Sequence, residues 1–137
     1  MQVIDFIQKH SALVATWFGL VVLLILEEMR NYKTQKYTLR PEDALVHIHK
    51  GSQVIDIRDK QSYKKEHIQH AQHAEAAFLL GNPEKTLKGG QSYILCCEQG
   101  GQAEEIAQTL RAKHGYKLYA IEGGLHKWKE AGLNTDK

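Results

Sequence analysis

Leu95-Cys96-Cys97-Glu98-Gln99-Gly100-Gly101-Gln102-Ala103 joins two stretches of opposite character and sets the architectural class of the chain. Before it, Tyr93-Ile94-Leu95-Cys96 is an unbroken apolar run of the kind found in a buried strand. After it, Ala103, Ile106, Ala107 and Leu110 recur at helical spacing, which predicts a helix over 103–114 with Gly115 as its C-terminal cap. In parallel sheets, sites form where strand C-termini meet helix N-termini. Unpaired amide N–H groups and the positive end of the helix dipole face that junction, and Gly100 and Gly101 allow successive amides to turn inward as an anion-binding nest. A thiol placed there, at Cys97, is favoured as the nucleophilic thiolate. On these residues alone, a small, buried and unreactive cysteine is the better reading, because such cysteines are common.

The same alternation runs through the rest of the chain from residue 37. Tyr37–Leu39 reads as a short strand, and Arg40-Pro41-Glu42-Asp43 opens a helix to about His49 with Pro41 in its first turn. Val54–Ile57 is a second strand, and Asp59 caps a helix near Gln61–Lys65. Ala74–Leu80 is expected to be helical and to end at Gly81-Asn82-Pro83. Lys117–Ile121 is a further strand, followed by Gly123-Gly124 and a last helix around Leu125–Ala131. Strands alternating with helices predict an α/β domain at 37–137, its parallel sheet covered by helices on both faces.

The N-terminal thirty residues differ. Ser11–Leu26 contains 16 residues without a charge, against roughly 20 needed to cross a bilayer core. Flanking polar side chains that snorkel outward extend it to a transmembrane helix over about 10–28. Residues 1–30 are therefore expected to be a membrane anchor, and the polar stretch 31–36 a linker. Arg30, Lys33, Lys36 and Arg40 follow the span while Lys9 precedes it, so the positive-inside rule puts the C-terminal domain in the cytoplasm, on a single-pass protein of a bacterial-type inner membrane. The adjacent Cys96 and Cys97 agree, since neighbours rarely form a structural disulfide and the cytoplasm keeps thiols reduced. Lys and Arg total 18 against 16 Asp and Glu in 137 residues, a net +2 without the basic surplus of a nucleic-acid binder. At 42% hydrophobic and 25% charged, the composition excludes a disordered chain.

Several ordered motifs resemble the single-domain rhodaneses, a sulfurtransferase family, over about residues 37–133. Val54–Asp59 resembles the family's strand ending in Asp-x-Arg. Ser62-Tyr63-Lys64-Lys65-Glu66-His67-Ile68, with Ala71 beyond it, is similar to the first hallmark, in which a Gly usually precedes the His; here that position is Glu66. Cys97-Glu98-Gln99-Gly100-Gly101-Gln102-Ala103 resembles the active-site loop, and Gly115-Tyr116 with Glu122-Gly123-Gly124 and Trp128 resembles the second hallmark. The anchored arrangement is similar to that of membrane-bound bacterial rhodaneses.

The resemblance implies a persulfide on Cys97, loaded by a small-molecule or protein sulfur donor and discharged to a thiol or cyanide acceptor. It calls for no cofactor. Glu98, Gln99, Gly100, Gly101, Gln102 and Ala103 would form the substrate-binding loop, with Asp56, Arg58 and His67 in support. From Cys97 through Gln102 the loop has six residues, the sulfur-transfer length; related phosphatases use one more and end in Arg, whose planar fork grips phosphate. The loop carries no basic residue, and the Glu98 carboxylate opposes both the thiolate and an approaching anion. Weak activity on thiosulfate, with a persulfide as natural donor, is therefore expected. His67, His70 and His73 sit three residues apart, yet no partner completes a metal set, and no metal is expected. A second function class is a non-catalytic interaction module of the same fold, localised at the membrane by the anchor.

Overall fold

The computed structural model describes residues 1–35 and 37–137, and the chain divides into two compact units, Met1–Lys36 and Tyr37–Lys137. The first unit is helical: α1 spans Gln2–Lys9 and α2 spans Ser11–Gln35. Within α2, the 22 residues Ser11–Tyr32 have a mean hydropathy of 2.0 and none is buried, so by length and composition this helix could cross a membrane. The helix exceeds the uncharged run because Glu27, Glu28, Met29 and Arg30 are strong helix formers and carry it onward. The expected linker is thus helical through Gln35; Lys36 lies outside the described residues.

The second unit runs β1 (Thr38–Leu39), α3 (Pro41–His49), β2 (Gln53–Asp56), α4 (Lys60–Lys65), β3 (His67–Ile68), β4 (Gln72–His73), α5 (Ala76–Gly81), α6 (Pro83–Thr86), β5 (Ser92–Cys96), α7 (Gly101–His114), β6 (Lys117–Ile121), α8 (Gly124–Glu130) and β7 (Thr135–Asp136). Five strands form one parallel sheet in the order β1-β6-β5-β2-β4. Helices cover both faces, as expected. On one face Leu79 of α5 and Ala103, Ile106, Ala107 and Leu110 of α7 pack on Ile55, Leu95, Leu118 and Ala120. On the other, Ala44 of α3 and Leu125 and Trp128 of α8 pack on Val54, Ile94 and Ile121. The central strand β5 is buried from Tyr93 to Cys96, as a strand covered on both sides must be.

Two expected helix starts change. Helix α7 begins at Gly101, two residues before the expected Ala103, because Gly100 takes the N-cap at φ +98°, a left-handed conformation that favours glycine. The helix expected from Ala74 begins at Ala76, since Ala74 N–H is committed to the Asp56 carbonyl at 3.0 Å beside the edge strand β4. His67 and His73 lie in β3 and β4, and His70 turns between them at φ +63°. Strand β3 pairs antiparallel with β7, Ile68 opposite Thr135, a ladder not anticipated.

Candidate active site

Cys97 lies one residue past β5 and is 4% exposed. The Gly100 N–H donates to its Sγ at 2.9 Å. The first bond of α7 runs from Glu104 N–H to the Gly100 carbonyl at 3.1 Å. The amides of Gly101, Gln102 and Ala103 precede it and emerge from the positive end of a 14-residue helix. Gly101 and Gln102, expected in the loop, therefore act as the helix's first turn. Their side-chain positions are exposed, while Ala103 is fully buried and seats that turn on the sheet.

The loop carbonyls are held from behind. Leu125 N–H donates to the Cys97 carbonyl at 2.8 Å and His126 N–H to the Glu98 carbonyl at 3.2 Å, so the N-terminus of α8 captures them. With its carbonyls turned that way, the loop is left with amides on the side of the sulfur. This approach requires glycine at two positions. A Cβ on Gly124, at φ +59°, would collide with the Cys97 carbonyl and lie 2.8 Å from the Glu98 carbonyl oxygen; one on Gly100 would lie 2.8 Å from the Gly123 nitrogen.

Asp56, Arg58 and Glu98 meet in one ion network, and His67 stands apart from it. Sheet register pairs Asp56 with Cys96, so the exit of β2 lies beside the loop. The buried Arg58 guanidinium grips Asp56, Nε at 3.0 Å from Oδ1 and Nη2 at 2.8 Å from Oδ2. Its Nη2 also donates to the Glu66 carbonyl, and its Nη1 donates to Glu98 Oε2 at 2.9 Å. Burial works against the Arg58 charge, but the hydrogen bonds and charges of Asp56 and Glu98 outweigh it and hold its pKa above the ordinary guanidinium value. The basic residue missing from the loop thus arrives from just past the end of β2, shared between Asp56 and Glu98, which sequence spacing alone does not reveal. Gln99 is exposed beside Glu98. His67 is engaged elsewhere: its ring stacks on Tyr63 with centroids 4.0 Å apart, and Nδ1 donates to the Tyr63 carbonyl at 2.7 Å.

Other supporting residues escaped the sequence reading. His73 Nε2 donates to the Arg58 carbonyl at 2.7 Å. Glu66, at the position where a glycine was expected, adopts extended backbone at φ −167°, which any residue can take. Its carboxylate accepts from Lys129 Nζ at 2.7 Å and Thr135 Oγ1 at 2.9 Å, tying α8 and β7 to the Arg58 platform. No sequence signal marks that tie. Cys96 is buried among Ala44, Ile94 and Trp128, on the face of the sheet opposite Cys97. Burial, then the charge of Asp56, pushes its thiol well above the ordinary range, so Cys96 stays protonated.

Comparison with known proteins agrees with this geometry. The Rhodanese-like domain pattern matches residues 40–131. The chain is similar to thiosulfate sulfurtransferase GlpE of Coxiella burnetii, 35% identical over 84 residues that make up 61% of this chain and 77% of that protein. Among solved structures it is similar to a protein of Bacillus halodurans, with a TM-score of 0.65, 25% identity, and coverage of 80% of this chain and 84% of that one. It is likewise similar to the thiosulfate sulfurtransferase of Pseudomonas aeruginosa, with a TM-score of 0.63 and 25% identity, covering 73% of this chain and 19% of that one. With the parallel α/β sheet, the cysteine at the strand-to-helix junction and this match across most of its second unit, the chain belongs to the rhodanese-like family.

Proposed function

We propose that the protein is a membrane-anchored sulfurtransferase that carries sulfane sulfur as a persulfide on Cys97. The observation that carries this reading is the Gly100 amide directed at Cys97 Sγ at the N-terminus of α7. In the first half-reaction the Cys97 thiolate attacks the outer sulfur of a donor such as thiosulfate. The sulfur–sulfur bond of the donor breaks, its electron pair leaves on sulfite, and the enzyme holds Cys–S–S⁻. In the second, a thiolate or cyanide attacks the outer sulfur, the persulfide bond breaks, and Cys97 departs as thiolate with a persulfide or thiocyanate as product. The two steps need no external oxidant. The amides of Gly101, Gln102 and Ala103, in the first turn of α7, add the positive end of the helix to that contact and act as preorganised electrostatic stabilisers of the persulfide charge. Asp56 and Arg58 are positioning residues that fix the loop wall.

The apolar stretch Ser11–Tyr32 supports a single-pass anchor in a plasma membrane, and the flanking charges favour a cytoplasmic catalytic domain. A reporter fused after Lys137 should therefore read as cytoplasmic. For the chemistry, the full chain in nonionic detergent is incubated with thiosulfate and weighed by intact mass, then treated with cyanide. One added sulfur, released as thiocyanate and absent in Cys97→Ser but retained in Cys96→Ala, is the expected result. A folded protein that accepts sulfur from no donor would instead favour the interaction module.

A further inference from the structure

The Glu98 carboxylate beside the nucleophile is a fixed part of the wall. Arg58 commits Nε and Nη2 to Asp56 and the Glu66 carbonyl and gives Nη1 to Glu98, so each of its three nitrogens holds an oxygen. Four of its five N–H donors are thereby committed, which leaves an incoming anion a single one on Nη1. Glu98 remains 64% exposed on its solvent side, and its backbone is pinned by His126 N–H. It borders a cleft of about 610 Å³ shared with Gln102, whose other walls include Arg58, Asp59, Ser62 and Glu75. Asp56 balances the Arg58 charge, which leaves the carboxylates of Glu98, Asp59 and Glu75 to give the cleft a negative potential.

We propose that the Arg58–Glu98 pair is the specificity determinant of the donor site, selecting sulfur donors of low net negative charge, such as zwitterionic thiosulfonates, over the thiosulfate dianion. This rests on the sulfurtransferase reading and names its substrate class. Thiosulfate and 2-aminoethanethiosulfonate test it directly, because they present the same reacting bond. The Cys97 thiolate attacks the outer sulfur of either, the sulfur–sulfur bond breaks, and the electron pair leaves on sulfite or on the sulfinate. The donors differ in net charge, a dianion against a zwitterion. Intrinsic reactivity cancels when the ratio of the two kcat/KM values is compared between variants.

The full chain in nonionic detergent is assayed with both donors as wild type, Glu98→Gln and Glu98→Lys. Removing one charge that faces a dianion at roughly 8 Å in a water-like dielectric predicts that the zwitterion-to-thiosulfate ratio falls about fivefold in Glu98→Gln, and further in Glu98→Lys. The difference between variants should shrink as salt rises from about 20 to about 300 mM, because the Debye length contracts. A ratio that stays within about twofold of wild type in both variants would overturn the assignment of Glu98, even with Cys97 loading normally. If neither donor adds sulfur to wild-type Cys97 by intact mass, the persulfide reading itself fails and the specificity assignment falls with it.

Discussion

Gly124→Ala probes the contact on which the loop's shape depends, and Gly132→Ala is its internal control. Both glycines have positive φ, +59° and +72°, so each alanine pays the same left-handed backbone penalty, about 1 kcal/mol. They differ in their surroundings. A Cβ at Gly132 meets nothing within 4 Å, whereas at Gly124 it collides with the Cys97 carbonyl and lies 2.8 Å from both the carbon and the oxygen of the Glu98 carbonyl. These neighbours are backbone atoms of the nucleophile loop and cannot rotate away. Relief requires moving the loop off α8 and stretching the Leu125–Cys97 and His126–Glu98 bonds. Overpacking of this kind costs a further 1–3 kcal/mol or so, for a total of about 2–4 kcal/mol. In a domain of this size that lowers Tm by roughly 10–20 °C, against about 5 °C for Gly132→Ala. Thermal unfolding of the full chain in detergent, followed by near-ultraviolet circular dichroism, separates the two. Sulfur loading on Cys97 should drop in Gly124→Ala even below its melting transition, since the displaced loop no longer aims Gly100 N–H at Sγ. Equal melting points for the two variants would refute the close approach of α8 to the loop.

Asp56→Asn removes the buried counterion of Arg58 and leaves it only the exposed Glu98, and should cost roughly 3–5 kcal/mol in denaturant unfolding; a loss within about 1 kcal/mol would show that the pair is not buried as described. Glu66 is held below the ordinary carboxylate range by its hydrogen bonds from Lys129 and then Thr135. Its stabilisation is therefore fully present above the ordinary carboxylate pKa and lost as pH falls through the depressed value. The Tm gap between wild type and Glu66→Gln should be widest near neutrality and narrow as the pH falls below the ordinary carboxylate range; a gap that does not change with pH would contradict this tie. Leu23→Arg places a charge in the middle of the candidate span at a cost of about 2.5–3.5 kcal/mol for insertion. Carbonate extraction of cell membranes should release the variant and retain wild type, and release of both would reject the anchor.

The features legible in the sequence are those written in local chemistry. An apolar strand, a cysteine, two glycines and a helical repeat adjoin one another around Cys97, and each constrains the backbone next to it. Asp59 as a cap is equally local, and its Oδ2 does accept the Ser62 N–H at 3.1 Å. The Arg58–Glu98 pair was not legible because it depends on which strand lies beside β5, a consequence of sheet order. The β3–β7 ladder joins residues at distant points of the domain, and two-residue strands carry no periodicity to read. The start of α7 was misplaced because apolar spacing begins at Ala103, whereas the backbone turns at Gly100. Glu66 departs from a glycine motif without strain, because its backbone is extended at φ −167° and needs no glycine.

The two adjacent thiols sit back to back. A strand turns successive side chains to opposite faces, so the sheet itself separates Cys96, among the contacts of α3 and α8, from Cys97, under α7. Cys96 therefore cannot act as a built-in partner that closes an internal disulfide when Cys97 is over-oxidised by peroxide. A sulfenic acid formed there must be reduced by a thiol from another molecule or proceed to the irreversible sulfinic state. Prolonged oxidative exposure should accordingly silence the loop rather than lock it, and recovery should track the supply of external reductant.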